Sequence, residues 1–109
     1  MSIKAGWEAE DKACDYLRKN GFDIIDRNVH SRFGEIDVIA LKDEVLHFVE
    51  VKSASDYSKA VQNITPTKLS RILRTVELYL QRHQLTLDYV VDAIAVTPDN
   101  VTMVENITL

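Results

Sequence analysis

Two apolar stretches, at residues 34–41 and 45–52, are separated only by the short polar sequence Lys42-Asp43-Glu44. Strands with so short a polar connection are expected to form an antiparallel hairpin. In the first stretch, the predicted strand is apolar on both faces apart from its acidic residues. This pattern is typical of a strand that is covered on both sides. The fold should therefore place other elements on both faces of this hairpin.

Two amphipathic helices can supply this cover. The first is predicted over residues 4–19, and Asn20-Gly21 is a helix stop signal because glycine readily adopts the left-handed conformation after a helix. Pro66 predicts the start of a second helix, which extends to about His83 and has its own apolar stripe. Each helix is long enough to cover one face of a small sheet.

The remaining apolar segments predict three more strands, and the segment between the hairpin and the second helix predicts a polar loop. The element order is then α-β-β-β-α-β-β, which favours an α/β fold with a central mixed sheet flanked by helices. The predicted strands are 22–27, 89–96 and a weaker one at 101–107, and the predicted loop is 53–65.

Length and composition indicate the class of protein. A chain of 109 residues fits a single domain, 1–109. Its one cysteine, Cys14, excludes an internal disulfide and any cysteine-rich zinc site. The N-terminal residues lack the apolar core of a signal peptide, and no run reaches the roughly 18 apolar residues of a membrane span. We therefore expect a cytoplasmic protein without a membrane partner.

The charge distribution is uneven. The net charge of −4 alone argues against a nucleic-acid binder, yet residues 52–82 contain six basic and two acidic side chains. On the predicted second helix, Lys68 and Arg71 face away from the apolar stripe, so they are candidate phosphate contacts together with Lys59 in the loop. The alternative is an ordinary solvated helix face.

Four charged residues interrupt apolar patterns. Glu10 lies in the apolar stripe of the first helix, and Asp37 lies within an apolar strand. Glu50 and Lys52 share one face of the next strand with apolar neighbours. Buried unpaired charge is costly, so each position requires a reason. The alternatives are a boundary position or an arginine partner for Glu10, and a strand-end ion pair for Glu50 and Lys52.

A tight hairpin would bring these charges together. A two-residue turn at Asp43-Glu44 pairs Leu41 with Leu46 and Asp37 with Glu50. Facing carboxylates repel each other, but a hard divalent cation such as Mg²⁺ binds between such groups. A change of one residue in the turn length would reverse one strand's faces and remove this argument. The hairpin therefore predicts a metal site at the end that carries Asp37 and Glu50.

The same residues carry a family resemblance that covers almost the whole chain. The sequence resembles the YraN family, which is similar to archaeal Holliday-junction resolvases and to the PD-(D/E)XK nuclease superfamily. The resemblance implies a restriction-endonuclease-like three-layer core. The motifs are Gly6-Trp-Glu-Ala-Glu10, Ala13, Leu17, Gly21-Phe22, Arg27-Asn28, Gly34-Glu35-Ile36-Asp37, Phe48-Val49-Glu50-Val51-Lys52 and Lys68.

The resemblance also implies roles for individual residues. Asp37, Glu50 and the carbonyl of Val51 would bind Mg²⁺ or Mn²⁺, and Glu10 would complete the site. Lys52 would orient the attacking water or stabilise charge at the phosphorus. The expected activity is metal-dependent cleavage of DNA phosphodiester bonds, with branched DNA and a homodimer expected by analogy. The alternative is a nucleic-acid-binding or protein-interaction domain of the same fold with an idle metal site.

Overall fold

The computed structural model describes residues 3–108, with side chains from residue 8 onward. This part of the chain has a five-stranded sheet in the order β1-β2-β3-β4-β5, in which only β3 and β4 are parallel. The fold confirms the predicted α/β class with a mixed sheet. The elements are α1 (Ile3–Lys19), β1 (Asp23–Ser31), β2 (Gly34–Lys42), β3 (Val45–Ser53), α2 (Tyr57–Gln62), α3 (Pro66–Arg82), β4 (Asp88–Val96) and β5 (Val101–Val104).

Two hydrophobic clusters lie on the two faces of the sheet and form three layers. One cluster packs α1 residues such as Leu17 against Val38 and Val49. The other packs α3 residues such as Val76 against Phe48. Burying large aliphatic and aromatic side chains stabilises a fold by roughly 1.5–3 kcal/mol each, so the two helices hold the sheet from both sides.

The β2–β3 hairpin has the predicted two-residue turn. Asp43 and Glu44 both have positive φ angles, 51° and 65°, as a type I′ turn requires. Lys42 pairs with Val45, and the antiparallel register runs to the pair Val38 and Val49. Beyond that pair, the amide of Val51 donates a hydrogen bond to the Asp37 carboxylate, which keeps the start of β2 beside the end of β3.

Both long helices have the expected boundary signals. After α1, Gly21 has a φ of 86°, and the amides of Gly21 and Phe22 donate to the carbonyls of Arg18 and Leu17. These two bonds satisfy carbonyls that the helix end would leave free. Thr65 caps α3 by accepting a hydrogen bond from the amide of Lys68. No helix of the described residues combines the length and apolar character needed to cross a membrane.

Three predicted boundaries were wrong. The predicted loop at 53–65 contains the short helix α2, whose first turn is capped by the Asp56 carboxylate. Within this helix only Ala60 is buried, which leaves too little apolar periodicity for sequence analysis to detect. In addition, β1 continues to Ser31 rather than ending at residue 27, and β5 ends at Val104 rather than at residue 107.

Strict side-chain alternation also fails at the start of β2. Alternation predicts Ile36 on the same face as Val38, yet Ile36 belongs to the α3-side cluster with Ile39. The neighbouring strand is irregular there, since Asn28 has a φ of 53°. Asparagine tolerates this left-handed conformation better than most residues, and such irregularities re-aim nearby side chains. Asp37 therefore lies where the strand departs from regular geometry.

Candidate metal centre

A cavity of about 440 Å³ opens at the end of the sheet where β2 begins and β3 ends, between α1 and α3. We call it the acidic cavity because carboxylates from three elements line it. Among the residues singled out from the sequence, Lys59 lies outside it, exposed on α2. The lining of the acidic cavity includes the other seven residues singled out from the sequence, which are Glu10, Asp37, Glu50, Val51, Lys52, Lys68 and Arg71.

Three carboxylates approach one another most closely. Glu10, Glu35 and Asp37 each offer an oxygen, and these oxygens lie within 4.8 Å of one another. Glu35 was missed by the sequence analysis because a charged residue at the start of a strand usually indicates a solvated surface. The available signal was its position two residues before Asp37, since such residues share a strand face. The structure therefore adds Glu35 to the candidate ligands.

Glu10 lies on the buried face of α1, and its side chain is only 11% exposed. The predicted alternative of an arginine partner is partly realised, because Arg27 Nη2 lies 3.6 Å from Glu10 Oε1. That separation is too long for a hydrogen bond, and Arg27 instead donates to Asp11 at 2.9 Å. Burial raises the pKa of Glu10, despite the opposing effect of Arg27. Because Arg27 is too far away to donate, Glu10 Oε1 is buried without a hydrogen-bond partner.

Asp37 is the most perturbed carboxyl group of the cavity. Burial, reinforced by the charge of Glu50, raises its pKa to about 7. One hydrogen bond opposes this shift, because the amide of Val51 donates to Asp37 Oδ2 at 2.7 Å. A bound cation would offset both the lost hydration of Asp37 and its repulsion from Glu50.

Glu50 and Lys52 form an ion pair at the end of β3. Lys52 Nζ lies 2.9 Å from Glu50 Oε1, and both side chains are largely buried, with exposures of 26% and 15%. This contact is the strand-end ion pair that the sequence offered as the structural alternative for Glu50 and Lys52. It also places an ammonium group within the acidic cavity, where it offsets one carboxylate.

The donor set suits a small divalent cation. Magnesium binds oxygen ligands at roughly 2.0–2.1 Å, so ligands on opposite sides of the ion are about 4.2 Å apart. Three ligands of one ion cannot all lie opposite one another, so the clustered oxygens, now within 4.8 Å of each other, would draw closer together on binding. The unsatisfied Oε1 of Glu10 points to the same conclusion, because a buried carboxylate oxygen without a donor is costly. Carboxylate oxygens favour Mg²⁺ or Mn²⁺ over softer metals.

His47 and Cys14 lie away from the acidic cavity and have structural surroundings. His47 Nδ1 lies 2.6 Å from an oxygen of the fully buried Asp92. The other oxygen of Asp92 accepts a hydrogen bond from the amide of Asn106, which fixes the chain after β5. Cys14 is fully buried in the α1-side cluster. Both observations indicate structural roles for these two residues.

The protein belongs to the α/β class. Its five-stranded mixed sheet has a helix layer on each face, and carboxylates gather at one end of the sheet. Its sequence gives the family. The chain belongs to Uncharacterised protein family UPF0102, whose model matches residues 9–96. This membership confirms the family part of the resemblance described above.

Full-length relatives support the assignment. The chain is 57% identical over 109 residues to a UPF0102 protein of Sulfurimonas denitrificans, which covers the whole of both chains. It is 44% identical to a UPF0102 protein of Aliarcobacter butzleri, again over the whole of both chains. A UPF0102 protein of Helicobacter hepaticus is 45% identical over 95% of this chain and 94% of the relative.

Proposed function

We propose that this protein is a metal-dependent endonuclease that cleaves phosphodiester bonds of DNA. The observation that carries the proposal is the grouping of three carboxylates beside the Glu50–Lys52 pair in one cavity. Repelling, partly dehydrated carboxylates destabilise a fold, and such clusters occur most often where a function requires them. A lysine among acidic ligands is consistent with phosphoryl chemistry, since it can contact a phosphate or water without binding the metal.

Each residue has a role that follows from its chemistry. Glu10, Glu35 and Asp37 would hold Mg²⁺ or Mn²⁺, and Glu50 would join them on release from Lys52. A bound ion would supply Lewis-acid chemistry, which would lower the pKa of a water and offset charge at the phosphorus. Lys52 would donate a hydrogen bond to the attacking water or to a phosphate oxygen.

The choice of DNA as substrate is supported by the basic side chains of α3. Lys68 and Arg71 are exposed and line the acidic cavity on the side opposite to α1. Basic groups beside a carboxylate cluster suit a polyanion whose scissile phosphate approaches a metal ion. Branched DNA is the substrate class that the resemblance to resolvases implies, and a homodimer is the corresponding assembly.

Variants that lose DNA cleavage with or without loss of metal binding would test this function. Purified protein with Mn²⁺ should nick at least one of linear, flapped and four-way DNA. Lys52→Ala should abolish nicking while keeping most of the metal-induced rise in melting temperature, because an ammonium group is not a metal ligand. Glu50→Ala should lose nicking and most of that rise.

Glu77→Ala and Lys19→Ala are matched controls, since both side chains are exposed and lie outside the acidic cavity. They should keep wild-type nicking and the wild-type response to metal. Nicking by Lys52→Ala at the wild-type rate would remove the catalytic role of this lysine.

A second candidate function is a binding domain with an idle metal site. The observation that favours it is the Glu50–Lys52 ion pair, in which the two charges neutralise each other and neither is available for metal or substrate. The net charge of −4 favours a protein partner over nucleic acid within this alternative. If wild type cuts none of the three DNA forms but binds them in a salt-dependent manner, the nucleic-acid-binding form is correct. Absence of binding as well would favour protein interaction.

A further inference from the structure

Phe33, at the turn between β1 and β2, forms part of the wall of the acidic cavity. Two guanidinium groups lie over its ring. The central carbon of Arg32 is 4.9 Å from the ring centroid, and that of Arg74 is 5.2 Å from it. The ring attracts both cations through its quadrupole, so an arginine of the turn and an arginine of α3 share Phe33 as a contact.

Neither arginine has an acidic partner among the side chains that the structure describes. The ion pairs formed by those side chains involve Arg18, Arg27, Lys52 and two histidines. Within the described side chains, both guanidinium groups therefore lack a carboxylate that would compete with an external anion. Because like charges repel, this arrangement is best stabilised by an anion that contacts both guanidinium groups.

The position of the turn is fixed by a chain of hydrogen bonds to α3. Ser31 Oγ accepts from the amide of Phe33 at 3.0 Å and contacts Thr75 Oγ1 at 2.8 Å. Thr75 is buried and donates onward to the carbonyl of Arg71 at 3.1 Å. The turn that carries Arg32 and Phe33 is therefore held against α3 before any ligand arrives, which lowers the entropic cost of binding.

We propose that Arg32 and Arg74, held by Phe33, form a phosphate clamp that binds one backbone phosphate of DNA beside the phosphate in the acidic cavity. The identity of the ligand rests on the function proposed above. Arg71 lines the cavity, and Arg74 follows it by roughly 4.5 Å along the axis of α3. A strand that leaves the cavity along α3 therefore passes Phe33 and meets both guanidinium groups. Arginine suits this role because its planar donors contact two phosphate oxygens at once.

Fluorescence anisotropy with labelled duplex and four-way DNA tests the clamp, with Ca²⁺ present to prevent cutting. Arg32→Gln with Arg74→Gln should weaken binding roughly tenfold at about 50 mM salt and reduce the salt slope by about one phosphate. The matched control is Lys19→Gln with Arg82→Gln, which removes the same charge from exposed positions outside the cavity. This control should change affinity less than threefold and leave the slope unchanged.

Two further variants distinguish a clamp from misfolding. Arg32→Lys with Arg74→Lys keeps the charge and should recover the slope while recovering only part of the affinity, since lysine lacks the planar fork. Phe33→Leu keeps an apolar side chain but frees both arginines, so it should weaken binding with little change in slope. All variants should unfold within a few degrees of wild type, as their side chains lie at the surface or at the cavity wall.

The clamp and the proposed function fail in different ways. If wild type nicks DNA with Mn²⁺ and the double glutamine variant binds like the control, the clamp is wrong and the function stands. If wild type cuts nothing but its DNA binding depends on Arg32 and Arg74, the clamp stands and catalysis does not. Absence of DNA binding by wild type at low salt would overturn the clamp.

Discussion

At the scale of single residues, the most informative signal was a charge that broke an apolar pattern. Glu10 is 8% exposed within the stripe of α1, and Asp37 lies beside the buried Ile36 and Val38. Neither carboxylate is placed where solvent or a full set of hydrogen bonds compensates for burial. Such positions persist when the group has a function that requires them.

The raised pKa of Asp37 makes stability depend on pH. The ordinary pKa of this carboxyl is 3.8 and its folded value is about 7, so the folded state binds more protons between these values. The free energy of unfolding should therefore fall as pH rises from about 4 to about 7, and stay low above that. Asp37→Asn removes this penalty and should stabilise the metal-free protein by about 1 kcal/mol at pH 8, because water in the open cavity screens much of the repulsion.

Urea denaturation at several pH values, without metal, measures this effect. The stabilisation by Asp37→Asn should shrink as pH falls from 8 and approach zero below the ordinary pKa of 3.8, where the wild-type carboxyl is largely protonated in both states. An exposed control, Asp15→Asn, should show no comparable trend between pH 5 and pH 8. A gain that is equal at pH 4 and pH 8 would contradict the shifted pKa.

At the level of elements, the two-residue β2–β3 turn sets the register of the two strands that carry Asp37 and Glu50. Asp43 and Glu44 adopt positive φ angles without being glycine. For a non-glycine residue this conformation costs roughly 1 kcal/mol, and Glu44 has no short side chain to offset it. The strain is accepted because apolar pairs such as Ile39 with Phe48 match only in this register.

Replacing Asp43-Glu44 with Asn-Gly should raise the free energy of unfolding by about 1 kcal/mol, since these residues favour the type I′ turn. Replacing the same pair with Ala-Ala should lower it, because alanine is strained at positive φ. Chemical denaturation of the two variants beside wild type is the measurement. Stabilisation by Ala-Ala would show that the turn does not have this geometry.

At the scale of the whole molecule, charge is segregated rather than balanced. The acidic cavity faces unpaired basic groups on α3 and on the turn before β2, whereas the net charge remains −4. A protein of this kind can bind a polyanion only through a localised surface. We therefore expect a shallow salt dependence of DNA binding, with only about three or four phosphates neutralised.

Lys68→Gln with Arg71→Gln should weaken binding to all DNA sequences alike and flatten the salt slope, because phosphate contacts carry no sequence information. The measurement is anisotropy of linear and four-way DNA over a range of salt with Ca²⁺. Lys19→Gln with Arg82→Gln again serves as the control of equal charge. An unchanged slope in the Lys68 and Arg71 variant would exclude this helix from the DNA surface.

The sequence alone determined the features that depend on neighbouring residues. Helical periodicity placed α1 and α3, and Asn20-Gly21 and Pro66 marked their boundaries. Turn length and matched apolar pairs predicted the register of the hairpin. These signals are local, because periodicity, caps and tight turns involve residues only a few positions apart.

Contacts between groups far apart in the chain depend on how the helices pack on the sheet. Glu35 joins Glu10 because α1 packs against the sheet near the start of β2, and its position two residues before Asp37 does not reveal this contact with α1. Arg74 lies over the ring of Phe33 for a similar reason, because α3 packs beside the turn between β1 and β2. Packing of α1 and α3 on opposite faces selects these partners, and sequence periodicity identifies the packed face of each helix without naming what it meets.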